Sequence, residues 1–331
     1  MKPLRKIYCR SFQTVLKLSI PFLPYRRPKM IGSLRKLPDI LKRKKKKRVL
    51  IVTDPGIRGL GLLIPLERAL SRADISYYIY EGTVANPTTT NIYEAVEMYF
   101  SNDCQAIIGF GGGSSLDCAK GVAVRIAKPG TSLSRLAGIL KVHTRLPLLI
   151  AIPTTADTGS ETTIAAVITD AQTRHKYAIN DFPLIPRYAI LDPRLTLSLP
   201  PSVTASTGMD ALTHAVEAYI GNSTTPETRK LAMKAVKLIF QNLDTAVSDG
   251  SNITARKNML HASFYAGCAF IDAIRDMKKR YGIGDTIPEL RREDIPRLAR
   301  YADHEANPLY PVPVLMDAAE LEQFYYMLLE N

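Results

Sequence analysis

The chain has 331 residues, 46% of them hydrophobic, which is enough for a large buried core and indicates two domains. Its net charge of +13 is concentrated at one end, because residues 1–48 hold 17 of the 44 Lys and Arg and one of the 31 acids. The rest of the chain is therefore mildly acidic. This distribution indicates a basic arm rather than a basic fold, and it does not favour a specific nucleic-acid-binding protein.

Two further features of the sequence bear on its compartment. The four cysteines are Cys9, Cys104, Cys118 and Cys268, and their spacing is typical of neither a zinc site nor a disulfide framework. This favours a reducing, cytoplasmic setting. Residues 12–25 are apolar only in patches and are interrupted by Lys17 and Pro21, so we expect neither a signal peptide nor a membrane span. The arm is predicted to be a solvated tail, with an interfacial helix and weak contact with an anionic membrane surface as the alternatives.

After the arm, short apolar runs alternate with helical patterns. Strands are predicted over 48–53, 75–80, 105–110 and 146–152, and helices over 61–72, 90–100 and 116–127. This alternation predicts a parallel sheet wound with helices, and ligands of such sheets bind beyond the carboxyl ends of the strands.

From about residue 195 the pattern becomes helical throughout, with helices predicted over 202–220, 226–247, 252–276 and 315–329. The predicted domains are a basic arm at 1–48, an α/β nucleotide-binding domain at 49–195 and an all-α domain at 196–331.

The first loop with chemical potential is Gly109–Lys120, GFGGGSSLDCAK, which follows a predicted strand and opens a helix. Gly111, Gly112 and Gly113 allow close backbone approach, and the helix amides with the Ser114 hydroxyl offer hydrogen bonds to a phosphate. The alternative is a tight strand-to-helix turn, since the loop is neither a Walker A motif nor a strict G-x-G-x-x-G.

Three other segments follow predicted strands. Residues 153–163, PTTADTGSETT, form a hydroxyl-rich loop that is either a ligand contact or a capped turn. Asp54 has the position of an acid that binds a ribose hydroxyl, although Asp54-Pro55-Gly56 is equally a good turn. Asn86 can present its amide to a ligand or belong to an ordinary turn.

In the helical half, Asp210 and His214 stand four residues apart on a predicted helix, with Glu217 nearby. Side chains at that spacing share a face and can converge on one ion. Alternatively, Asp210 belongs to a capping box begun by Thr207, and His214 pairs with Glu217.

Taken together, VTD at 52–54, NPT at 86–88, GGGSSLDCAK at 111–120, PTTADTGSETT at 153–163 and DPRLTLSLPPSVTASTGMDALTHAVEAYIG at 192–221 resemble the iron-containing, or group III, alcohol dehydrogenase family. The resemblance runs from about residue 48 to 270, with five motifs in the family's order. It implies a dehydroquinate-synthase-like fold, with a Rossmann-like α/β domain followed by a helical domain.

The resemblance also implies site residues. Asp54 is implied to face the adenosine ribose and to favour NAD over NADP, and the glycine loop to take the pyrophosphate. The implied cofactor residues are Asp54, Asn86, Gly112, Gly113, Ser114, Asp117, Thr154, Thr155 and Lys176. Asp210 and His214 match two ligands of a divalent metal, iron in most of the family and zinc in some, which polarises the substrate oxygen for hydride transfer.

The sequence departs from the family after residue 270. Two further histidine ligands, in His-Ala-x-x-His and His-Gly-x-x-Asn-Ala patterns, are absent, and the chain passes at Phe270–Ile271 into a segment resembling the family's carboxyl end. We therefore expect a truncated helical domain and a weakly held metal, because catalytic metals usually have three protein ligands. Asp157 stands where the family commonly has Gly, and its charge should repel a pyrophosphate.

The sequence thus predicts a cytoplasmic NAD-dependent oxidoreductase acting on a small alcohol or aldehyde, as a possible homodimer, with doubtful turnover. The alternative is a non-catalytic nucleotide-binding or interaction protein that uses the basic arm at an anionic membrane or nucleic acid.

Overall fold

The computed structural model describes Ser11 and residues 26–220, 226–266, 291–306 and 316–326. The sequence joint predicted at Phe270–Ile271 and the interfacial helix considered for 12–25 lie outside these residues. Within the described part, no helix is both long and apolar enough to cross a membrane.

The described residues form nine strands: β1 Lys29–Ile31, β2 Arg48–Val52, β3 Ser76–Tyr80, β4 Ala106–Gly111, β5 Gly138–Ile139, β6 Leu148–Pro153, β7 Ala165–Thr169, β8 Lys176–Asn180 and β9 Tyr188–Ile190. Six of them form one sheet in the order β1-β9-β6-β4-β2-β3, and every pair in it is parallel. The strands predicted at 48–53, 75–80, 105–110 and 146–152 are its β2, β3, β4 and β6. The predicted parallel sheet is confirmed.

Ten α-helices are described: α1 Leu37–Arg43, α2 Pro55–Gly59, α3 Ile64–Ser71, α4 Thr89–Ser101, α5 Gly113–Ala127, α6 Pro201–Ile220, α7 Pro226–Ser248, α8 Ile253–Tyr265, α9 Ile295–Ala306 and α10 Ala318–Tyr326. The four helices predicted after residue 195 correspond to α6, α7, α8 and α10. The helical second half of the expected fold is therefore present.

The sheet is covered by helices on both faces. Leu50 and Ile107 pack in one core cluster, which also contains residues of α4 and α5. Ile51 and Ile108 pack in a second cluster with residues of α1 and α3. Alternate side chains of a strand point to opposite faces, so a strand buried on both sides reads as a continuous apolar run. That is why these strands were predictable.

Residues 29–44 do not form the solvated arm that their charge predicted. β1 adds to the sheet edge beside β9, and Leu37, Ile40 and Leu41 of α1 are buried. The backbone amide of Leu34 donates to the buried Asp192 carboxylate at 3.0 Å. The lysine run dominates the local composition, and it masked an apolar stripe at helical spacing.

A second, smaller sheet has the order β5-β8-β7 and was not predicted. β7 and β8 form an antiparallel hairpin in which buried residues alternate with half-buried or exposed ones. This hairpin places Lys176 close to the loop that contains Asn86, since the Lys176 side chain bonds to it.

The chain divides into two compact units. One contains residues 26–208 and 238–264, and the other contains 209–220, 226–237 and the described residues after 265. Within the second unit, α9 packs against α10. The structure becomes helical from about residue 195, as predicted. Residues 29–44 belong to the α/β part and not to an arm, whereas the domain limit near residue 195 stays a prediction.

Candidate functional site

A cleft of about 800 Å³ opens where β2, β4 and β6 end. Of the nine cofactor residues that the resemblance implied, eight line this cleft: Asp54, Asn86, Gly112, Gly113, Ser114, Asp117, Thr155 and Lys176. The ninth, Thr154, is buried below it, where its backbone amide donates to the Gly111 carbonyl at 3.0 Å. Asp54 after β2 and Thr155 after β6, 101 positions apart in the chain, are thus brought together at the carboxyl ends of the parallel strands, as expected for such a sheet.

The glycine loop gives the cleft an exposed helix end. Gly111 has φ +146°, and a Cβ there would lie 2.6 Å from the Ser115 hydroxyl oxygen, so only glycine fits. Gly112 is the N-cap of the 15-residue α5, where no side chain bonds to the first amides and no acid occupies the first turn. Free amides and the helix dipole favour an anion at this point.

The second loop faces the first across the cleft. A Cβ on Gly112 would lie 3.5 Å from Thr155 Oγ1, and one on Gly113 would lie 3.5 Å from Thr158 Oγ1. The two hydroxyl groups therefore border the space above the glycine amides. Thr158 was not among the predicted cofactor residues, although its place in the hydroxyl-rich loop was a usable signal.

Asp54 is held in place by two hydrogen bonds. Its Oδ1 accepts from the Ile57 amide at 3.0 Å, which caps α2, and its Oδ2 accepts from the Ser115 hydroxyl at 2.9 Å. Each carboxylate oxygen can accept a further bond. The turn interpretation and the ligand interpretation of Asp54 are therefore compatible.

Asn86 and Lys176 approach each other at the rim of the cleft. Lys176 Nζ donates to the side-chain oxygen Oδ1 of Asn86 at 2.7 Å, and the backbone amide of Asn86 donates to Ser114 Oγ at 3.3 Å. Asn86 adopts φ +56°, a conformation that asparagine tolerates better than most residues. The pair places a cation and an amide beside the start of α5.

Asp117 lines the cleft, but its carboxylate is engaged in an internal network. Oδ1 accepts from Ser160 at 2.6 Å, and Oδ2 accepts from the Val167 amide at 3.0 Å. Lys120 is fully buried beside it and donates to Ser160, Thr163 and the Ala165 carbonyl. Burial lowers the pKa of Lys120. Asp117 therefore braces the second loop against α5, whatever it contributes to a ligand.

Glu161 is a buried acid that the sequence did not single out as functional. It is 2% exposed, and burial raises its pKa to about 7, against the opposing effect of the Lys120 charge and with a smaller contribution from Asp157. Asp157 itself lines the cleft, and its backbone carbonyl accepts from Ser263 Oγ at 3.0 Å. Asp157 thus borders the space expected to hold the phosphates, whereas Glu161 is buried.

The predicted metal residues form a pair on α6. Asp210 Oδ2 and His214 Nε2 lie 3.4 Å apart, and each side chain is more than two fifths exposed. The capping alternative for this stretch is wrong, because α6 already begins at Pro201 and the Thr207 hydroxyl donates to the Val203 carbonyl within the helix.

The donor set of this pair does not by itself fit a catalytic metal. No group of three or more metal-ligating side chains occurs among the residues that the structure describes. Catalytic zinc sites typically have three protein ligands and one open position. Two donors on one helical turn suit at most a weakly bound ion.

Comparisons with known proteins agree with these motifs. The family model "Iron-containing alcohol dehydrogenase" matches residues 30–193, and "Fe-containing alcohol dehydrogenase family, C-terminal" matches residues 204–278. A 1,3-propanediol dehydrogenase of Klebsiella pneumoniae is 41% identical over 229 residues, 69% of this chain and 59% of that protein. An NAD-dependent methanol dehydrogenase of Bacillus methanolicus is 37% identical over 239 residues, 72% of this chain and 62% of that protein.

Among solved structures, an alcohol dehydrogenase from Oenococcus oeni superimposes with a TM-score of 0.85 at 27% identity, covering 92% of this chain and all of that chain. The sequence matches nevertheless span less than two thirds of these two curated relatives.

Proposed function

The chain belongs to the iron-containing alcohol dehydrogenase family, and from that premise we propose that it binds NAD(H) in the cleft at the ends of β2, β4 and β6. We propose further that it exchanges hydride between this cofactor and a small alcohol or aldehyde. The observation that supports the proposal best is the convergence of the strand-end loops around the uncapped start of α5.

The residues of the cleft suit the parts of a dinucleotide. The first amides of α5 and the Ser114 hydroxyl provide donors for a pyrophosphate, and Gly112 and Gly113 leave room for it. Asp54 has spare acceptor capacity for ribose hydroxyls, and its negative charge disfavours the 2′-phosphate of NADP. Lys176, held by Asn86, adds a positive charge at the rim.

The nicotinamide ring, when bound, supplies the hydride acceptor or donor. The protein's own contribution is to position the dinucleotide on the two facing loops. Those loops are fixed by the bond from Ser160 to Asp117 and by the buried Lys120. We propose that Asp210 and His214 bind a divalent ion, iron or zinc, only weakly, and we assign no step of the reaction to it.

A titration of the protein with NADH, followed by NADH fluorescence, tests the cofactor assignment. The chain contains no Trp, so the signal has no contribution from protein tryptophan. We expect saturable binding, and tighter binding of NADH than of NADPH. Equal affinity for the two would contradict the role of Asp54, and the absence of any fluorescence or thermal shift would contradict the cofactor assignment.

The two-donor metal pair favours a second candidate function, that of a nucleotide-binding protein without turnover. It predicts NADH binding with no aldehyde reduction after loading with Fe²⁺ or Zn²⁺. Aldehyde reduction by the loaded protein would instead establish the dehydrogenase. Contact of the basic arm with anionic vesicles belongs to this second candidate, and deletion of residues 1–25 tests it without removing β1.

A further inference from the structure

A second cleft, which we name the basic cleft, opens at the amino-terminal ends of the strands of the six-stranded sheet, opposite the first cleft. It has a volume of about 1030 Å³ and is lined by residues that precede strands, including Lys46 before β2, Gln105 before β4, Pro147 before β6 and Arg187 before β9. Strands of five or six residues separate the two sheet edges by roughly 15–20 Å. The basic cleft is therefore distinct from the cleft at the carboxyl ends of the strands, which we call the cofactor cleft.

The charges around this cleft are of one sign. Among the described residues that line it, none is Asp or Glu and five carry a positive charge: Arg26, Lys44, Lys46, Arg145 and Arg187. In the described part of the chain, none of the five has a carboxylate within ion-pair distance. The cleft therefore carries positive charge that no carboxylate of the described residues neutralises by an ion pair.

Arg26 and Arg187 illustrate this arrangement. The Arg26 guanidinium donates to the carbonyls of Ile185 and Pro186, which directly precede Arg187. Burial and the like charge of Arg187 both lower the pKa of Arg26. Two of the five guanidinium N–H donors are used, so three remain for a ligand. An anion bound here would relieve the repulsion between the two arginines.

Hydrogen bonds to one buried carboxylate hold the walls of the basic cleft together. The buried Asp181 carboxylate accepts from the amides of Val142, His143 and Phe182 at 2.8 to 2.9 Å, which joins the two loops that form the walls. Phe182 itself lines the cleft together with other apolar side chains: Tyr99, Leu146, Leu148, Leu149, Pro183 and Ile185. Tyr99, Leu149 and Ile185 are buried, whereas Lys44, Arg145 and Arg187 are exposed, so the cleft combines an apolar floor with a cationic rim.

The helix dipole explains only part of this charge. Lys44 is the C-cap of α1, where a cation is favourable without any ligand. Arg145 and Arg187 lie outside helices, and Arg145 is exposed. A helix dipole therefore does not account for their place beside a shared cleft.

We propose that the basic cleft binds a soluble phosphate-bearing ligand with an aromatic ring, of the nucleoside polyphosphate class. The five cations match the several charges of a polyphosphate, and the apolar floor accommodates a base. This site is separate from the dinucleotide cleft and does not depend on whether the chain is an active dehydrogenase.

Calorimetric titration of the full chain with ATP, in the presence of saturating NADH, tests the proposal. We expect one ATP site that persists when the cofactor cleft is filled, and weaker binding of inorganic tripolyphosphate, which lacks the base. Arg145→Gln and Arg187→Gln should each weaken ATP binding at least about tenfold, since each removes a charged hydrogen-bond donor. Both variants should retain the wild-type NADH affinity.

Lys141→Gln is the matched control, because Lys141 is an exposed cation of the same loop that does not line the cleft. It should bind ATP like the wild type. An equal loss in the control would show that ATP responds to net charge alone and would overturn the proposal. Displacement of ATP by NADH, equal affinity for tripolyphosphate, or binding to anionic lipid vesicles without ATP binding would overturn it as well.

Discussion

Replacing Gly112 with alanine should impair dinucleotide binding while leaving the fold intact. The added Cβ would lie 3.5 Å from Thr155 Oγ1 and 3.7 Å from Thr155 Cγ2, which is ordinary van der Waals contact. Gly112 has φ −75° and ψ −171°, a conformation open to alanine, so we expect the free energy of unfolding to change by less than about 1 kcal/mol.

The same methyl group would occupy the space in which a phosphate reaches the first amides of α5. Displacing the phosphate costs at least one charge-assisted hydrogen bond, which contributes about 1.5–3 kcal/mol. We therefore expect NADH affinity to fall roughly 10- to 150-fold, measured by fluorescence titration. Unchanged affinity in a folded variant would refute the assignment of the pyrophosphate to this helix end.

Two neighbouring experiments separate folding from binding. Gly130→Ala makes the same chemical change where nothing lies within 4 Å, so stability and NADH affinity should both stay at wild-type values. Gly111→Ala introduces a Cβ at φ +146° and 2.6 Å from Ser115 Oγ, and it should lower the free energy of unfolding by about 1–3 kcal/mol or more. Denaturant unfolding distinguishes the two.

Three further predictions concern Asp157, Glu161 and the pair formed by Asp210 and His214. Asp157→Gly should raise NADH affinity severalfold by removing a negative charge from the cleft, and a fall in the titrated affinity would show that Asp157 instead assists the cofactor. The ordinary pKa of the Glu161 carboxyl is 4.5 and the folded value is about 7, so the unfolded chain releases this proton first as pH rises. Glu161 should therefore lower stability progressively between about pH 4.5 and 7, by up to about 3 kcal/mol, and then no further. Glu161→Gln should remove this part of the pH dependence in denaturant unfolding at pH 5 and pH 8, whereas an unchanged profile would contradict the raised pKa. Calorimetry should find Zn²⁺ bound to the wild type with a Kd weaker than about 1 μM, and lost in Asp210→Ala and in His214→Ala; a much tighter Kd would show that the pair has additional ligands.

The central strands and the two loops that border the cleft at their ends were predictable because their signals are local. A strand buried on both faces is a continuous apolar run, as in Arg48–Val52 and Ala106–Gly111, and a glycine triplet between such a strand and a helix allows few conformations. The parallel sheet then brings strand ends together, so residues distant in sequence were correctly expected at one edge.

The elements that the sequence did not predict depend on long-range partners. β1 is three residues long and pairs with β9, about 160 positions later in the chain. The α1 stripe of Leu37, Ile40 and Leu41 was obscured by the lysine run that follows it. The basic cleft likewise combines residues from 26 to 187, and no local pattern in the sequence links them.

The network around Lys120 shows why a residue's position does not determine its role. Asp117 lies one helical turn from Lys120, and the family resemblance implied only a cofactor role for it. In the fold, Ser160 bonds to both of them, so the same carboxylate that borders the cleft also fixes the opposite loop. Replacing Asp117 should therefore affect stability and NADH affinity together, whereas Gly112→Ala affects affinity alone. Comparing the two variants therefore distinguishes Asp117, which positions the loops of the cleft, from Gly112, which leaves room for the phosphate.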